Sequence, residues 1–290
     1  LEDILRPIYQ ERASNRNTLG ILVMEKKNAV SPETDNFDSI LLVIVKDFED
    51  NWLVKHYEYG EKSAALHIVD QHQLESWIKN STYKRVIEWV LEGRIIYDRN
   101  EYVADLKENL QTFPDDHRSL RLTMEFSKLT RGYNESRHLY ETGNYLDAYS
   151  RLLRSLHYLG RMAILEKGYH PEVVVWNQVK RIDLEVYQIY EKLIKSTEDI
   201  EDKIKQALND IDISLTKRTE RCAEHLLQVM RTRQSSWGFG ELKIHPEVSP
   251  YVYDLVGIIE YLVSQNIVNV VLEETKSTAV KHRKYQVINL

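Results

Sequence analysis

Apolar positions change their period along the chain, and each change marks a different kind of element. In residues 1–114, Gly20–Met24 predicts a strand, followed by a loop containing Ser31, Pro32 and Asp35. Ile40–Val45 is an unbroken run of Ile, Leu and Val, the pattern of a strand covered on both faces. Trp52–Tyr59 alternates and meets Gly60, which predicts a hairpin or short connection into a further strand, Ala64–Val69. Leu74, Trp77 and Ile78 fall at helical spacing, as do Val86, Trp89 and Val90, with Gly93 as the C-cap. A short strand at Arg94–Tyr97 and a helix over Tyr102–Leu110 follow, and Pro114 closes the segment. Strands and helices interleaved in this way predict an α/β layer fold.

From 115 to 234 the period is helical almost throughout. Leu122, Phe126, Leu129 and Tyr133 share one face, and Gly143-Asn144 breaks the chain. Tyr145, Ala148, Leu152, Leu156, Leu159 and Ala163 hold the next helix until Gly168. Leu184, Tyr187, Tyr190 and Ile194 mark another, and Ile204 to Leu226 a long last one. Short links between such helices predict an all-α antiparallel bundle. In 235–290 the pattern shifts again. Trp237-Gly238-Phe239-Gly240 is expected to be a flexible joint, and a helix to predict from Pro250 to about Gln265 has Ser249 as N-cap. Ile267–Leu272 and Tyr285–Ile288 then read as paired strands around a basic tip, Lys276–Lys284. A helix followed by a two-stranded hairpin predicts a small winged-helix-like module.

Composition narrows the class. Of 290 residues, 42% are apolar and 29% charged, so a folded chain is expected rather than a disordered one. Cys222 is the one cysteine, which excludes an intrachain disulfide and a zinc site built on several cysteines. The first ten residues lack the apolar core of a signal peptide, and no apolar run approaches a membrane span, so a cytoplasmic protein without membrane contact is expected. Residues 1–114 hold 14 basic against 20 acidic side chains, 115–234 hold 20 against 19, and 235–290 hold 5 against 6. An acidic first segment repels phosphate unless metal ions or local basic groups intervene.

Three stretches carry a family likeness: TDNFDSILLVIV at Thr34–Val45, AALHIVDQHQLESW at Ala64–Trp77, and EGRIIYDRNEYVADL at Glu92–Leu106. In order and spacing, these resemble the nucleotidyltransferase fold shared by DNA polymerase beta and the antibiotic-modifying nucleotidyltransferases. The second stretch resembles that fold's antiparallel third strand and the helix after it. With the helices and the small last module, the whole chain resembles bacterial proteins described as nucleotidyltransferase-like. The resemblance implies an α/β domain with a mixed sheet over 1–114, a substrate-binding-like helical bundle over 115–234 and a winged-helix-like module over 235–290. It also implies a chemistry. A Gly-Ser turn after the first strand admits nucleotide phosphates, and three carboxylates hold two magnesium ions that activate the acceptor and stabilise the leaving oxygen.

The chain departs from that pattern at each element. Glu25 and Lys26 stand at the position of the Gly-Ser turn. Asp38 precedes the apolar run, but the next alternate position is Ile40, and Asp35 lies three residues away. If Asp38 is the second carboxylate, Asn36 takes the place of the first. Ala65 stands where the third is expected, with His67 and Asp70 nearby. The expectation is therefore a catalytically degenerate protein that binds a ligand or partner, with Asp35 and Asp38 as remnants and Asp38 alone as a metal ligand. The alternative is an active magnesium-dependent enzyme with rearranged carboxylates (Asp35, Asp38, Asp70) that passes a nucleotide to a small molecule, protein or RNA. A third reading is a regulator that contacts nucleic acid or protein through the last module, with Lys276, Lys281, Arg283 and Lys284 as contacts. Three Arg–His pairs at ribonuclease-like spacing (Arg131/His138, Arg151/His157, Arg218/His225) are no more than chance supplies. Arg151, Arg154, Lys180 and Arg181 are expected chiefly on solvated helix faces.

Overall fold

The computed structural model describes residues 2–80, 82–112, 115–276 and 279–288. Pro114 lies outside them. The chain divides into two compact units, Leu1–Pro114 with Glu172–Val174, and Asp115–Pro171 with Val175–Leu290.

In the first unit, α1 (Glu2–Ser14) precedes β1 (Thr18–Glu25), β2 (Ser39–Val45), β3 (Trp52–Tyr59) and β4 (Lys62–Asp70). Then come α2 (Gln71–Asn80), α3 (Lys84–Glu92), β5 (Arg94–Asp98) and α4 (Tyr102–Thr112). The sheet is mixed, in the order β3-β4-β2-β1-β5. β4 is antiparallel to β3 and parallel to β2. All seven residues of β2 are buried. Ile40, Leu42 and Ile44 face one core with Leu74, Trp77, Val86, Trp89, Val90 and Val103 from α2, α3 and α4. Leu41, Val43 and Val45 face the other, with Leu5 and Tyr9 of α1. Burial on both faces explains why this strand reads as a continuous apolar run.

Two local features position the helices of the first unit. The helix α1 includes Pro7, a residue that removes an intrahelical hydrogen bond, so local propensity argues against it. Leu5 and Tyr9, one turn apart, hold it to the sheet. Gly93 does end α3, but with extended backbone (φ −61°, ψ 140°) rather than a left-handed cap. A Cβ there would lie 2.3 Å from the Trp89 carbonyl oxygen, so glycine is required by close approach.

His67 on β4 belongs to an aromatic cluster on the α2–α3 face. Its ring centroid lies 4.6 Å from that of Trp89 and 5.9 Å from that of Trp52. Trp77 and Tyr83 pack against the same Trp52. Trp52 Nε1 donates to His67 Nδ1 over 3.2 Å, which requires the neutral imidazole.

The second unit begins with α5 (Asp115–Glu141), α6 (Tyr145–Glu166), α7 (Val175–Ile182), α8 (Leu184–Lys195) and α9 (Ile200–Arg231). Gly143 and Gly168 turn the chain with φ of 75° and 82°. Asp183 caps α8 by accepting from the Val186 N–H. After α9 come β6 (Trp237–Gly238), α10 (Phe239–Lys243), a 3-10 segment (Pro246–Asp254), α11 (Leu255–Ser264), β7 (Val268–Glu274) and β8 (Lys281–Val287). The small sheet runs β6-β8-β7.

The joint expected at Trp237–Gly240 is instead ordered structure. Trp237 is buried, pairs with Tyr285 across the sheet, and donates from Nε1 to the Met230 carbonyl. Arg233 lies over its ring at 3.7 Å. The helix expected from Pro250 to Gln265 is two elements, because Pro246 and Pro250 both lack a backbone donor and Tyr251 departs from helical angles (φ −128°, ψ 21°).

Acid should destabilise the first unit through His67. Burial lowers its pKa to about 4 from an ordinary 6.5. A histidine held neutral contributes stability that is full above pH 6.5 and is lost as pH falls towards 4. The melting temperature of the wild-type chain is expected to fall across that window, and the His67→Gln chain to fall less. Equal slopes for the two would show that another group carries the acid sensitivity.

Candidate functional site

The family-type site would lie where β1 ends and β2 begins. Lys26 N–H donates to the Asp38 carbonyl at 2.9 Å, so the segment between them leaves the sheet and returns. A 3-10 turn, Pro32–Thr34, bends it. Asp35 and Asn36 then both take left-handed backbone, with φ of 51° and 66°. The Asn36 side chain accepts from the Ser31 N–H, and Trp89 Nε1 on α3 donates to the Glu33 carbonyl at 2.7 Å. A buried tryptophan thus fixes the loop to the core.

The three carboxylates weighed from the sequence do separate structural work. Asp38 Oδ2 accepts the Ser63 N–H at 2.8 Å and lies 3.4 Å from the Ser63 hydroxyl. Its carboxyl sits below the usual carboxylate range, chiefly because of the Ser63 backbone bond, with Lys26 and Lys62 adding to the effect. Asp35 turns to α3 and holds Arg85 through both oxygens, each contact 2.8 Å long. Asp70 is buried and accepts the Gln73 N–H at 2.8 Å at the start of α2. Asn51, with its amide oriented to donate, covers the other Asp70 oxygen. Among the described residues, no three His, Cys, Asp or Glu side chains gather to hold a metal ion. The donor set therefore does not fit the magnesium pair that the fold family implies.

Lysines gather here instead. Glu25, Lys26, Lys27, Asn28, Ala29, Asp38 and Lys62 line a cleft of about 470 Å³. Lys26 Nζ donates to the Asn36 carbonyl at 3.2 Å. Lys27 pairs with Glu92, which raises its pKa and keeps it charged. Lys62 arrives from β4, just after the turn at Gly60. Glu25 and Lys26 thus line a cleft together with Asp38, whereas Asp35 and Asp70 are not among its lining residues. Nothing local in the sequence marks Lys62, Ser63 or Arg85, because each reaches this region from a different element.

In the C-terminal module, the order of helices and strands is that of a winged helix, with the end of α9 as its first helix. α11 would be the groove-reading helix, but its sequence, LVGIIEYLVS, has no Lys or Arg. It packs within its own unit: Tyr261 meets Phe126 of α5 edge-on at 5.8 Å, and Gly257 lies against the Arg131 backbone. Arg131 also pairs with Asp254 at 2.5 Å. Part of the expected basic tip is strand. Lys281, Arg283 and Lys284 lie in β8, where acids of β7 and α11 reach them. Lys281 meets Glu274 at 2.8 Å, Lys284 meets Glu273 at 2.8 Å, and Arg283 meets Glu260 at 2.9 Å. Lys276 is exposed. The Arg–His spacings also dissolve into packing: Arg218 pairs with Glu166 and Asp183, while His225 meets the Tyr251 hydroxyl at 3.0 Å.

Comparison with known proteins agrees with this layout. Residues 1–118 match a family model described as nucleotidyltransferase-like, 119–218 one described as a YgxA-like substrate binding domain, and 224–287 one described as a helix-turn-helix domain. The chain is 41% identical over 285 residues to the uncharacterized protein YgxA of Bacillus subtilis (strain 168), covering 98% of this chain and 97% of that one. A crystal structure of a nucleotidyltransferase-like protein from Exiguobacterium sibiricum 255-15 superposes with a TM-score of 0.80 at 36% identity, over 99% of each chain. With an α/β sheet domain, a helical bundle and a helix-turn-helix module in the same order, this chain belongs to the nucleotidyltransferase-like family that includes YgxA.

Proposed function

We propose that this protein is a nucleotidyltransferase-fold binding protein that has given up metal-dependent transfer, and that its N-terminal cleft holds a phosphate-bearing ligand such as a nucleotide through lysines. The observation that carries the reading is Asp38. Its carboxylate accepts from Ser63 and faces Lys26 and Lys62, so the position that should begin a metal cage sits among cations. A divalent ion supplies phosphoryl chemistry with charge stabilisation that a single carboxylate cannot hold in place. Lysines can neutralise phosphate as point charges, but they do not activate an acceptor hydroxyl. Glu25 weakens the cleft for a highly charged ligand and favours one whose phosphate reaches Lys26 and Lys62 together.

Calorimetric titration with AMP, which carries a single phosphate, tests this in EDTA and again in magnesium. Binding is expected in EDTA, with magnesium giving no gain, and Lys26→Glu/Lys62→Glu should weaken it at least ~10-fold. Incubation with radiolabelled nucleoside triphosphates, magnesium and cell extract is expected to leave every acceptor unlabelled. Label transfer that disappears in Asp38→Ala would establish the active enzyme in place of this reading.

We further infer that the helix-turn-helix module braces the bundle instead of reading a DNA groove. Support comes from α11, which is apolar and packed on α5, and from β8, whose cations already face acids. Groove reading needs an exposed helix with donors for base edges, and phosphate binding needs cations that neutralise charge outside the protein. Gel-shift assays with duplex DNA at ~0.1 M salt are expected to show no complex. A salt-sensitive shift abolished by Lys281→Ala/Lys284→Ala would assign a nucleic-acid role to the wing.

A further inference from the structure

Arg161 lies on the inner face of α6 and is 1% exposed. Its Nη2 stands 2.7 Å from Oε1 of Glu125 on α5. That ion pair supplies counter-charge, while the three guanidinium nitrogens find no hydrogen-bond acceptor. Burying charged donors without acceptors is costly, and structures seldom retain such a group without a partner that uses it. Nothing in the mechanism proposed for the lysine cleft uses Arg161.

A second arginine stands beside it. Arg121, one turn before Glu125 on α5, is 2% exposed. Burial and the neighbouring Arg161 charge lower its pKa to about 10, so two buried guanidinium groups repel one another here. Arg121 Nη1 lies 2.7 Å from His170 Nδ1. Arginine only donates, so Nδ1 accepts and the imidazole is neutral at that contact. His170 is half-buried and sits in the non-helical link after α6, next to the left-handed Gly168. The link is held by Gln178 of α7, whose Nε2 donates to the His170 carbonyl at 2.8 Å. A half-buried ring therefore meets one of two neighbouring buried cations, on a short turn that Gln178 helps to hold.

We propose that Arg161, with Arg121 beside it, anchors a small molecule by a carboxylate or phosphate group that enters past His170 into the helical bundle. The planar fork of Arg161 suits an oxyanion taken through two oxygens, and Glu125 orients that fork without consuming its donors. The ligand's negative charge relieves the repulsion between the two arginines. Arg161 does this whether or not the lysine cleft binds phosphate, and the two sites are separable by substitution.

Thermal-shift and calorimetric titrations with inorganic phosphate and with acetate test the site, sodium chloride serving as the ionic-strength control. They are run on the wild-type chain and on Lys26→Ala/Lys62→Ala, which removes the cleft. In both, at least one of the two anions should raise the melting temperature saturably, by about 3 °C at ten times its dissociation constant. Phosphate acting alone would identify a phosphorylated ligand, and acetate acting alone a carboxylate. Arg161→Lys keeps the charge but loses the fork, and should weaken binding at least ~10-fold. Arg161→Met/Glu125→Leu replaces the buried pair with apolar volume, a change that often preserves folding, and should abolish the response. The proposal fails if neither anion exceeds the chloride control. It fails equally if the response disappears with the two lysines, or persists in Arg161→Met/Glu125→Leu.

Discussion

Ser39–Val45 runs through the middle of the first sheet with every residue buried, hydrogen-bonded to a neighbour on each side. A strand enclosed in this way can offer chemistry only at its ends. Its head is Asp38, at the point where the loop pinned by Trp89 returns to the sheet. The fold therefore sets Asp38 at the end of that strand, where the loop meets the sheet. Whether that place is chemically competent depends on what surrounds it. Here Ser63 and the lysines of the cleft occupy that surrounding.

One rule of hydrogen-bond satisfaction governs all three acidic positions. A carboxylate beside a backbone N–H or a guanidinium is stabilised by accepting from it, and becomes less available to a cation as it does so. Asp35 is taken by Arg85, Asp38 by Ser63 and Asp70 by Gln73. The rule works in reverse on the C-terminal strand. Cations that form a positive run in sequence are matched one by one by Glu260, Glu273 and Glu274. Arg161 is the contrasting case in the helical unit, a buried cation with counter-charge nearby and no acceptor on its donors.

The layout of elements was largely legible. The doubly buried strand, the hairpin at Gly60, the helix breaks at Gly143 and Gly168, and the final strand pair each rest on short-range signals. Misreadings came where distant packing overrode a local signal. Trp237–Gly240 has the look of a joint, but Trp237 is buried and strand-paired. In the candidate site, the sequence led to the expectation of missing family carboxylates and of Lys26 in place of part of the Gly-Ser turn. It gave no hint of the partners that Asp35 and Asp38 find.

By itself, then, the sequence determined the family and the order of the elements. These follow from periodicity and from residue identity at fixed spacing, both of which act over a few neighbours. The tertiary structure decided which charges are neutralised, which are buried without acceptors and which line a cleft. Electrostatic pairing and desolvation depend on groups that approach across 25 residues for Asp38 and Ser63, and across 50 for Asp35 and Arg85. Only the folded chain brings those groups within hydrogen-bonding distance, so their chemistry is a property of the fold.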